Sequence, residues 1–410
     1  MTAALDGPLV VVGGGTMGAG IALLAALHGQ RATVLEGDAD AADAARGRVE
    51  RALARRVARG TLEAADADPV LARIAVVADH GATADPVAVI EAVPEILELK
   101  RRVLARAAAA WPGATLASNT SSIPIAEIAA GLDEPERVVG LHFFNPPTEM
   151  KLVELVVPPR ALPAHVDVAR RVAAALGRTV VEATDAPGFV VNRCARPYYL
   201  EALRAVEQGL ADVATIDGAC EEAGFPLGPF ALMDLIGIDV SLAVTRSMWQ
   251  RGDHEPRWRP SPLQEQRVAD GQLGRKSERG FHAYGDGAPV RGRARPADRV
   301  VAAEEAADRA GAAIDASLTG RPAPAADVAL ARILVQLVNE ARFAQAEGVA
   351  TADAIDVGMT VGLNHPVGPA RWSAWIGGAR VDGFLDHLAG PAGDPVYRRP
   401  APTPTTEEPR

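Results

Sequence analysis

The sequence predicts an α/β half, a Rossmann-like doubly wound parallel sheet, followed by an all-α half. Three observations carry this. Short apolar runs alternate with longer helical ones from Pro8 to Glu182, as expected for buried parallel strands joined by helices. A G-x-G-x-x-G, Gly13-Gly14-Gly15-Thr16-Met17-Gly18, follows the first of those runs directly. Beyond Asp185-Ala186-Pro187-Gly188 the strand pattern stops and helical periodicity continues.

The elements follow in order. Pro8 to Val12 reads as a buried strand, and Ala19 to Leu27 as an apolar helix ending at His28-Gly29. Between them Gly13, Gly15 and Gly18 allow a tight turn, close approach to a pyrophosphate and close helix–strand packing. The free N–H groups of the helix start, at Thr16 and Met17, would face the phosphates. Arg31 to Leu35 is a second strand ending in Glu36, whose carboxylate suits two ribose hydroxyls and repels a 2′-phosphate. No arginine follows at once, so NAD is expected over NADP. Ala41 to Gly60 is a long helix carrying Arg46, Arg48, Arg51, Arg55, Arg56 and Arg59. That is either a solvated face or a site for an anionic substrate tail.

Val87 to Val93 is a further strand, closed by Pro94-Glu95, and a helix then carries Lys100. Ala114 to Ser118 leads into Asn119-Thr120-Ser121-Ser122, where one serine is placed to cap a helix with Pro124 in its first turn. The other is left for a ligand. Strand Val138 to His142 and the apolar run around Glu154 are joined by a Pro-Pro turn. A carboxylate bonded to one imidazole nitrogen fixes the tautomer and raises the basicity of the other nitrogen. That arrangement takes a proton from an alcohol. Ala164 to Leu176 and Arg178 to Glu182 supply the last helix and strand. Gly13, Glu36, Glu95, Ser121 and His142 all fall at the carboxyl ends of strands, where such sheets bind ligands.

After the boundary, Phe189 to Gly209 reads as one long helix, with Asn192 facing back toward it. The helical part repeats. Glu201, Gly209, Ile216-Asp217, Pro226 and Gly228-Pro229 recur as Glu340, Gly348, Ile355-Asp356, Pro366 and Gly368-Pro369, with a one-residue deletion expected near Ala219 to Phe225. Asn192 falls opposite Ala331. The expected domains are 1–186, a nucleotide-binding sheet; 187–284, a helical substrate and dimerisation domain; 285–325, a linker with one helix over Arg299 to Ala313; 326–390, a degenerate helical repeat; and 391–410, a disordered tail.

Composition bounds the rest. A chain of 410 residues suggests two or three domains, and 48% hydrophobic with 23% charged residues is that of a soluble globular protein. A net charge of −10 without any basic run argues against nucleic acid. Cys194 and Cys220 form neither a disulfide framework nor a metal pattern, so no metal is expected. No signal peptide or membrane span is visible, and the cytoplasm is the expected compartment. The basic residues are nearly all arginine, the lysines being Lys100, Lys151 and Lys276.

With these residues assembled, the chain resembles the short-chain L-3-hydroxyacyl-CoA dehydrogenase family, including 3-hydroxybutyryl-CoA dehydrogenases. The matching stretches are VVGGGTMGAGIA, VIEAVPEILELK, ASNTSSIPI, GLHFFNPPTEMKLVELV, DAPGFVVNR and LGRKSERGF. The extra helical copy resembles the tandem arrangement of longer members, such as those acting on 3-hydroxyadipyl-CoA. The resemblance implies His142 as general acid/base and Glu154 as its orienting partner, with Ser121 and Asn192 holding the substrate's 3-oxygen. It implies Glu95, Lys100, Asn145 and Lys276 on the nicotinamide and ribose side of NAD. In place of the family's CoA-binding lysine this chain offers Arg59 or its neighbours. An acyl-CoA substrate is implied, and a homo-oligomer is possible. The alternatives are the same chemistry on a carrier-protein-bound or free hydroxy acid, and a non-catalytic NAD-binding scaffold.

Overall fold

A computed structural model describes residues 5–78, 85–284 and 296–401. The chain divides into two compact units, Met1–Phe189 and Val190–Arg410. The first is built on an eight-stranded sheet: β1 (Leu9–Val12), β2 (Ala32–Leu35), β3 (Ile74–Val77), β4 (Ala88–Glu91), β5 (Thr115–Ser118), β6 (Val138–Phe143), β7 (Leu152–Val157) and β8 (Thr179–Thr184). Its spatial order is β3-β2-β1-β4-β5-β6-β7-β8. Every neighbouring pair is parallel except β6–β7, which is antiparallel. The strand order reverses between β1 and β4, which opens a crevice at their carboxyl ends.

Helices α1 (Thr16–Leu27), α2 (Ala39–Ala58), α3 (Ala64–Leu71), α4 (Leu97–Ala110), α5 (Ile125–Ala129) and α6 (Pro163–Ala175) complete this unit. Strand side chains alternate between two cores, as a pleated sheet covered on both faces requires. Leu9, Val11, Val34 and Ile90 lie in one, Val10, Val12, Leu35 and Val89 in the other. One local expectation is corrected. Neither serine caps α5: Pro124 holds the cap position, and Asp185 accepts from the Ile125 and Ala126 amides at 2.9 and 2.6 Å. A carboxylate with two oxygens satisfies both orphan donors, which one serine could not.

The second unit is helical among its described residues: α7 (Val191–Glu207), α8 (Val213–Glu222), α9 (Pro229–Ile236), α10 (Ile238–Arg251), α11 (Pro262–Ala269), α12 (Pro296–Leu318), α13 (Ala325–Ala346), α14 (Ala352–Val357), α15 (Pro369–Ile376) and α16 (Gly378–Ala389). Both copies of the repeat belong to this one unit. The expected linker holds α12, whose Ala303, Ala306, Ala307, Ala310 and Ile314 form a buried helical stripe. The helix expected there, Arg299 to Ala313, lies within α12, and alanine at that spacing makes it a packing face where a bare linker would stay solvated. Residues 285–295 lie outside the described ones. The expected disordered tail also begins too early, because Tyr397 is buried in a helical turn, Pro395–Tyr397. That turn repeats Pro256–Trp258 of the first copy. Residues 402–410 lie outside the described part. The one-residue difference between the copies falls at a π-helical turn, Gly358–Gly362, which is how a helix absorbs an extra residue.

The two copies are tied by exchanged ion pairs. Arg193 of α7 meets Glu340 of α13 at 2.8 Å, and Arg332 of α13 meets Glu201 of α7 at 2.6 Å. Arginine and glutamate stand eight residues apart in both helices. Each helix therefore gives its arginine to the other's glutamate, as in a two-fold interface. Trp258 lies against Arg193, and Tyr397 repeats it against Arg332.

Candidate active site

The loop after β1 is shaped to receive a dinucleotide. Gly13 has φ +93, and a Cβ on Gly18 would stand 1.8 Å from the Gly13 carbonyl. Neither position admits a side chain. A Cβ on Gly15 would meet nothing within 4 Å, so open space lies at the start of α1. Gly15 provides no side-chain cap and no acid occupies the first turn, leaving the amide end of α1, with Thr16 and Met17, positively polarised. These features fit a pyrophosphate. Glu36, at the end of β2, accepts from the Gly14 amide at 2.6 Å. Arg48 reaches the same loop from α2 and donates to the Gly14 carbonyl at 3.2 Å, a contact the sequence did not foretell.

At the end of β4 the structure adds Glu91, which sequence reasoning missed. It is fully buried and accepts from Lys100 Nζ at 2.8 and 3.1 Å, Ser118 Oγ at 2.6 Å and the Val93 amide at 2.7 Å. Lys100 is itself buried, and its ammonium also pairs with Glu95 at 3.2 Å. Glu95 accepts from Thr120 Oγ1, the Ser121 and Ser122 amides and Ser122 Oγ, at 2.6 to 3.0 Å. Partial burial pushes the Glu95 carboxyl upward in pKa, but Lys100, Thr120 and Ser122 outweigh it and hold the value below the usual range. A chain of charge thus runs from Glu91 through Lys100 and Glu95 to the Ser121 loop. A glutamate inside an apolar strand resembles a parallel-strand end, and only its buried lysine reveals it. The Ser121 hydroxyl bonds to nothing among the described residues.

The sheet's single antiparallel step produces the most chemically pointed contact. His142 and Glu154 are directly opposite in the β6–β7 register. Their side chains therefore leave the same face of the sheet. Glu154 Oε2 lies 2.6 Å from His142 Nδ1, with His142 at 5% exposure and Glu154 at 0%. Phe144 and Phe189 flank the imidazole at centroid distances of 4.7 and 5.8 Å. Asn119 accepts from the Phe143 amide at 2.8 Å and fixes the strand end. A carboxylate on Nδ1 leaves Nε2 as the ring nitrogen able to take up or release a proton.

Beyond β6, Asn145 begins the turn Asn145–Pro146–Pro147 and lines an 850 Å³ cleft against α1 and α2. Arg48, Arg51, Arg55, Arg56 and Arg59 line the same cleft, with Glu149 its only carboxylate among the described residues. Arg59 is exposed and lies 3.5 Å from Glu149. In the second unit, Asn192 sits in the first turn of α7. Lys276 is held by Asp239 at 2.6 and 2.7 Å.

The chain is similar to known proteins along most of its length. Residues 8–186 match the model of the 3-hydroxyacyl-CoA dehydrogenase NAD binding domain, and residues 188–284 and 329–408 match that of its C-terminal domain. The chain is 36% identical to the 3-hydroxyadipyl-CoA dehydrogenase of Escherichia coli K12, with 95% of each chain covered. It is 40% identical to a 3-hydroxybutyryl-CoA dehydrogenase of Mycobacterium tuberculosis, covering 67% of this chain and 97% of the relative. The crystal structure of a 3-hydroxybutyryl-CoA dehydrogenase from Escherichia coli K12 superposes with a TM-score of 0.84 at 33% identity, covering 97% of both chains.

Proposed function

The chain belongs to the 3-hydroxyacyl-CoA dehydrogenase family, and from that premise we propose how its residues carry the NAD-dependent reaction. His142 Nε2 takes the hydroxyl proton of an L-3-hydroxyacyl-CoA, and in the reverse direction returns it to the 3-oxo group. Glu154 holds the proton on Nδ1 and stabilises the imidazolium that forms, which a buried carboxylate 2.6 Å away does well. Ser121 and Asn192 hold the 3-oxygen as its charge changes. NAD supplies the acceptor for the hydride leaving C3. Gly13, Gly15, Thr16, Met17 and Gly18 bind its pyrophosphate and Glu36 its adenosine ribose. Glu95, Lys100, Asn145 and Lys276 line the nicotinamide side, Lys100 acting through the loop it anchors. No helix among the described residues is long and apolar enough to cross a membrane.

The single observation that carries this reading is the His142–Glu154 pair, placed face to face by strand register and enclosed by aromatic rings. The arginine-lined cleft supports a CoA thioester over a free hydroxy acid, since the nucleotide tail carries phosphates that several guanidinium groups suit. Arg59 is assigned to that tail together with Arg51 and Arg55. The test is reduction of 3-ketoacyl-CoA esters followed by NADH absorbance. His142→Ala and Glu154→Ala should each lower kcat by about 10² to 10⁴ while NADH binding stays close to wild type. Turnover near wild type in either variant would remove the dyad.

A further inference from the structure

Arg196 stands one helical turn after Asn192 on the same face of α7. It is buried, at 3% exposure. Its Nη1 donates to Thr245 Oγ1 at 3.3 Å and to the Ser241 carbonyl at 3.5 Å, and its guanidinium lies 5.1 Å from the Tyr199 ring centre. Among the described residues its Nε donates to nothing, and the buried Ser241 hydroxyl is also without a partner. No carboxylate among the described residues pairs with it. The other buried arginines of this unit, Arg193, Arg257 and Arg332, each face one. Burial pulls the Arg196 pKa down, yet a guanidinium keeps its proton at any working pH. A buried, uncompensated cation is costly, so something must justify it.

The second copy shows that the helix pair does not require it. By the shift that places Glu201 on Glu340, Asn192 corresponds to Ala331 and Arg196 to Val335. By the shift that places Gly228-Pro229 on Gly368-Pro369, Ser241 corresponds to Val381 and Thr245 to Leu385. All four replacements are fully buried and apolar. The same backbone therefore packs with hydrocarbon where the first copy carries an amide, a guanidinium and two hydroxyls. The polar set is present as a group in one copy and missing as a group in the other.

We propose that Arg196 receives a carboxylate at the far end of the substrate's acyl chain, so that the preferred substrate is a 3-hydroxyacyl thioester of a dicarboxylic acid. The assignment rests on Asn192 holding the 3-oxygen, as proposed above. From Asn192 to Arg196 the helix advances by about 6 Å. An acyl chain with its 3-oxygen at the asparagine, running along that face, brings a terminal carboxylate to the guanidinium, which can bind both oxygens. The Ser241 hydroxyl supplies a further donor. A short uncharged acyl chain would end before the guanidinium and leave it unpaired.

The test is the ratio of kcat/KM for 3-oxoadipyl-CoA to that for acetoacetyl-CoA, with NADH, in wild type, Arg196→Leu and Arg196→Gln. Wild type should favour the dicarboxylyl ester by about 10² or more, and each variant should lower the ratio by about 10² to 10³. Adipyl-CoA, which carries no 3-oxo group, should raise the Tm of wild type more than butyryl-CoA does, and in Arg196→Gln the two esters should raise it equally. Wild type that reduces acetoacetyl-CoA without preferring the dicarboxylyl ester overturns the assignment of Arg196 and leaves the dehydrogenase reading standing. So does an equal loss on both esters in the two variants. Wild type that reduces neither ester overturns the dehydrogenase reading itself.

Discussion

The two helical copies of the second unit share a scaffold and differ in what it presents. In both, an aspartate of a short helix accepts from the first turn of the next: Asp217 from the Phe230 amide and Asp356 from the Ala370 amide, each at 2.9 Å. In both, the long helix spends a buried arginine and a buried glutamate on its counterpart. Positions that hold backbone to backbone are alike. Positions on the face of Asn192 are polar in one copy and apolar in the other. A repeat released from ligand contact can replace costly buried polar groups with hydrocarbon, provided its packing partners stay. The second copy thus reads as a structural half whose work is to cover α7.

The harshest way to break this comparison is to remove the second copy. A chain ending at Leu318 exposes the buried face of α7 and leaves Arg193 without Glu340. It should lose its cooperative unfolding transition and aggregate, as sedimentation and a thermal melt would show. A stable, active, monomeric product would mean that the second copy does not complete the core.

Glu340→Ala is the next largest change. It removes the buried carboxylate that Arg193 and Arg257 share, leaving Arg193 with the half-exposed Glu347 and Arg257 with Glu255. Denaturant unfolding should report a loss of about 3 to 5 kcal/mol. Glu265→Ala, which breaks the exposed Arg246 pair, should cost less than about 1 kcal/mol. Equal effects would show that the crossed pairs do not hold the copies together.

Exchanging the residues that distinguish the copies sharpens the contrast. Asn192→Ala should lower kcat by about 10² to 10³, the range for loss of one oxyanion donor. The reverse change, Ala331→Asn, should leave kcat unchanged and cost stability by about 1 to 3 kcal/mol, since it buries an amide without a partner. A kinetic effect of Ala331→Asn would give the second copy a place in the reaction.

The smallest effect is a pH dependence specific to the second copy. His365 corresponds to Phe225, and the two rings touch at 4.8 Å. Burial, with Arg299 adding to it, pushes the His365 pKa down to about 3. The folded imidazole is therefore neutral, whereas the unfolded one gains a proton below about pH 6.5. Stability from this group is complete above that value and falls as pH drops toward 3, by up to about 1.4 kcal/mol per pH unit. His365→Phe should flatten the stability curve between pH 6 and pH 4 and leave pH 8 little altered. Parallel curves would show that His365 does not titrate on unfolding.

Much of the first unit was legible in the sequence because its signals are local. Apolar runs alternating with helical periods, a glycine loop after a strand and a histidine twelve residues from a glutamate all rest on short-range geometry. Strand pleating then put that pair on one face, and the antiparallel register set them opposite each other. The sequence also revealed the repeat, and with it Asn192 against Ala331. The cap on α5 lay beyond it, because Asp185 comes from about sixty residues along the chain. So did the burial of Lys100 between two glutamates and the packing of α12. So did the ion pairs of Arg193 and Arg332, whose partners come from more than a hundred residues away along the chain. Arg196 was the least visible of all. Its meaning depends on being buried with no carboxylate beside it, a property of the whole environment that no spacing encodes. Periodicity and motifs settle which elements form, and burial, which depends on every neighbour at once, decides what each charge is for.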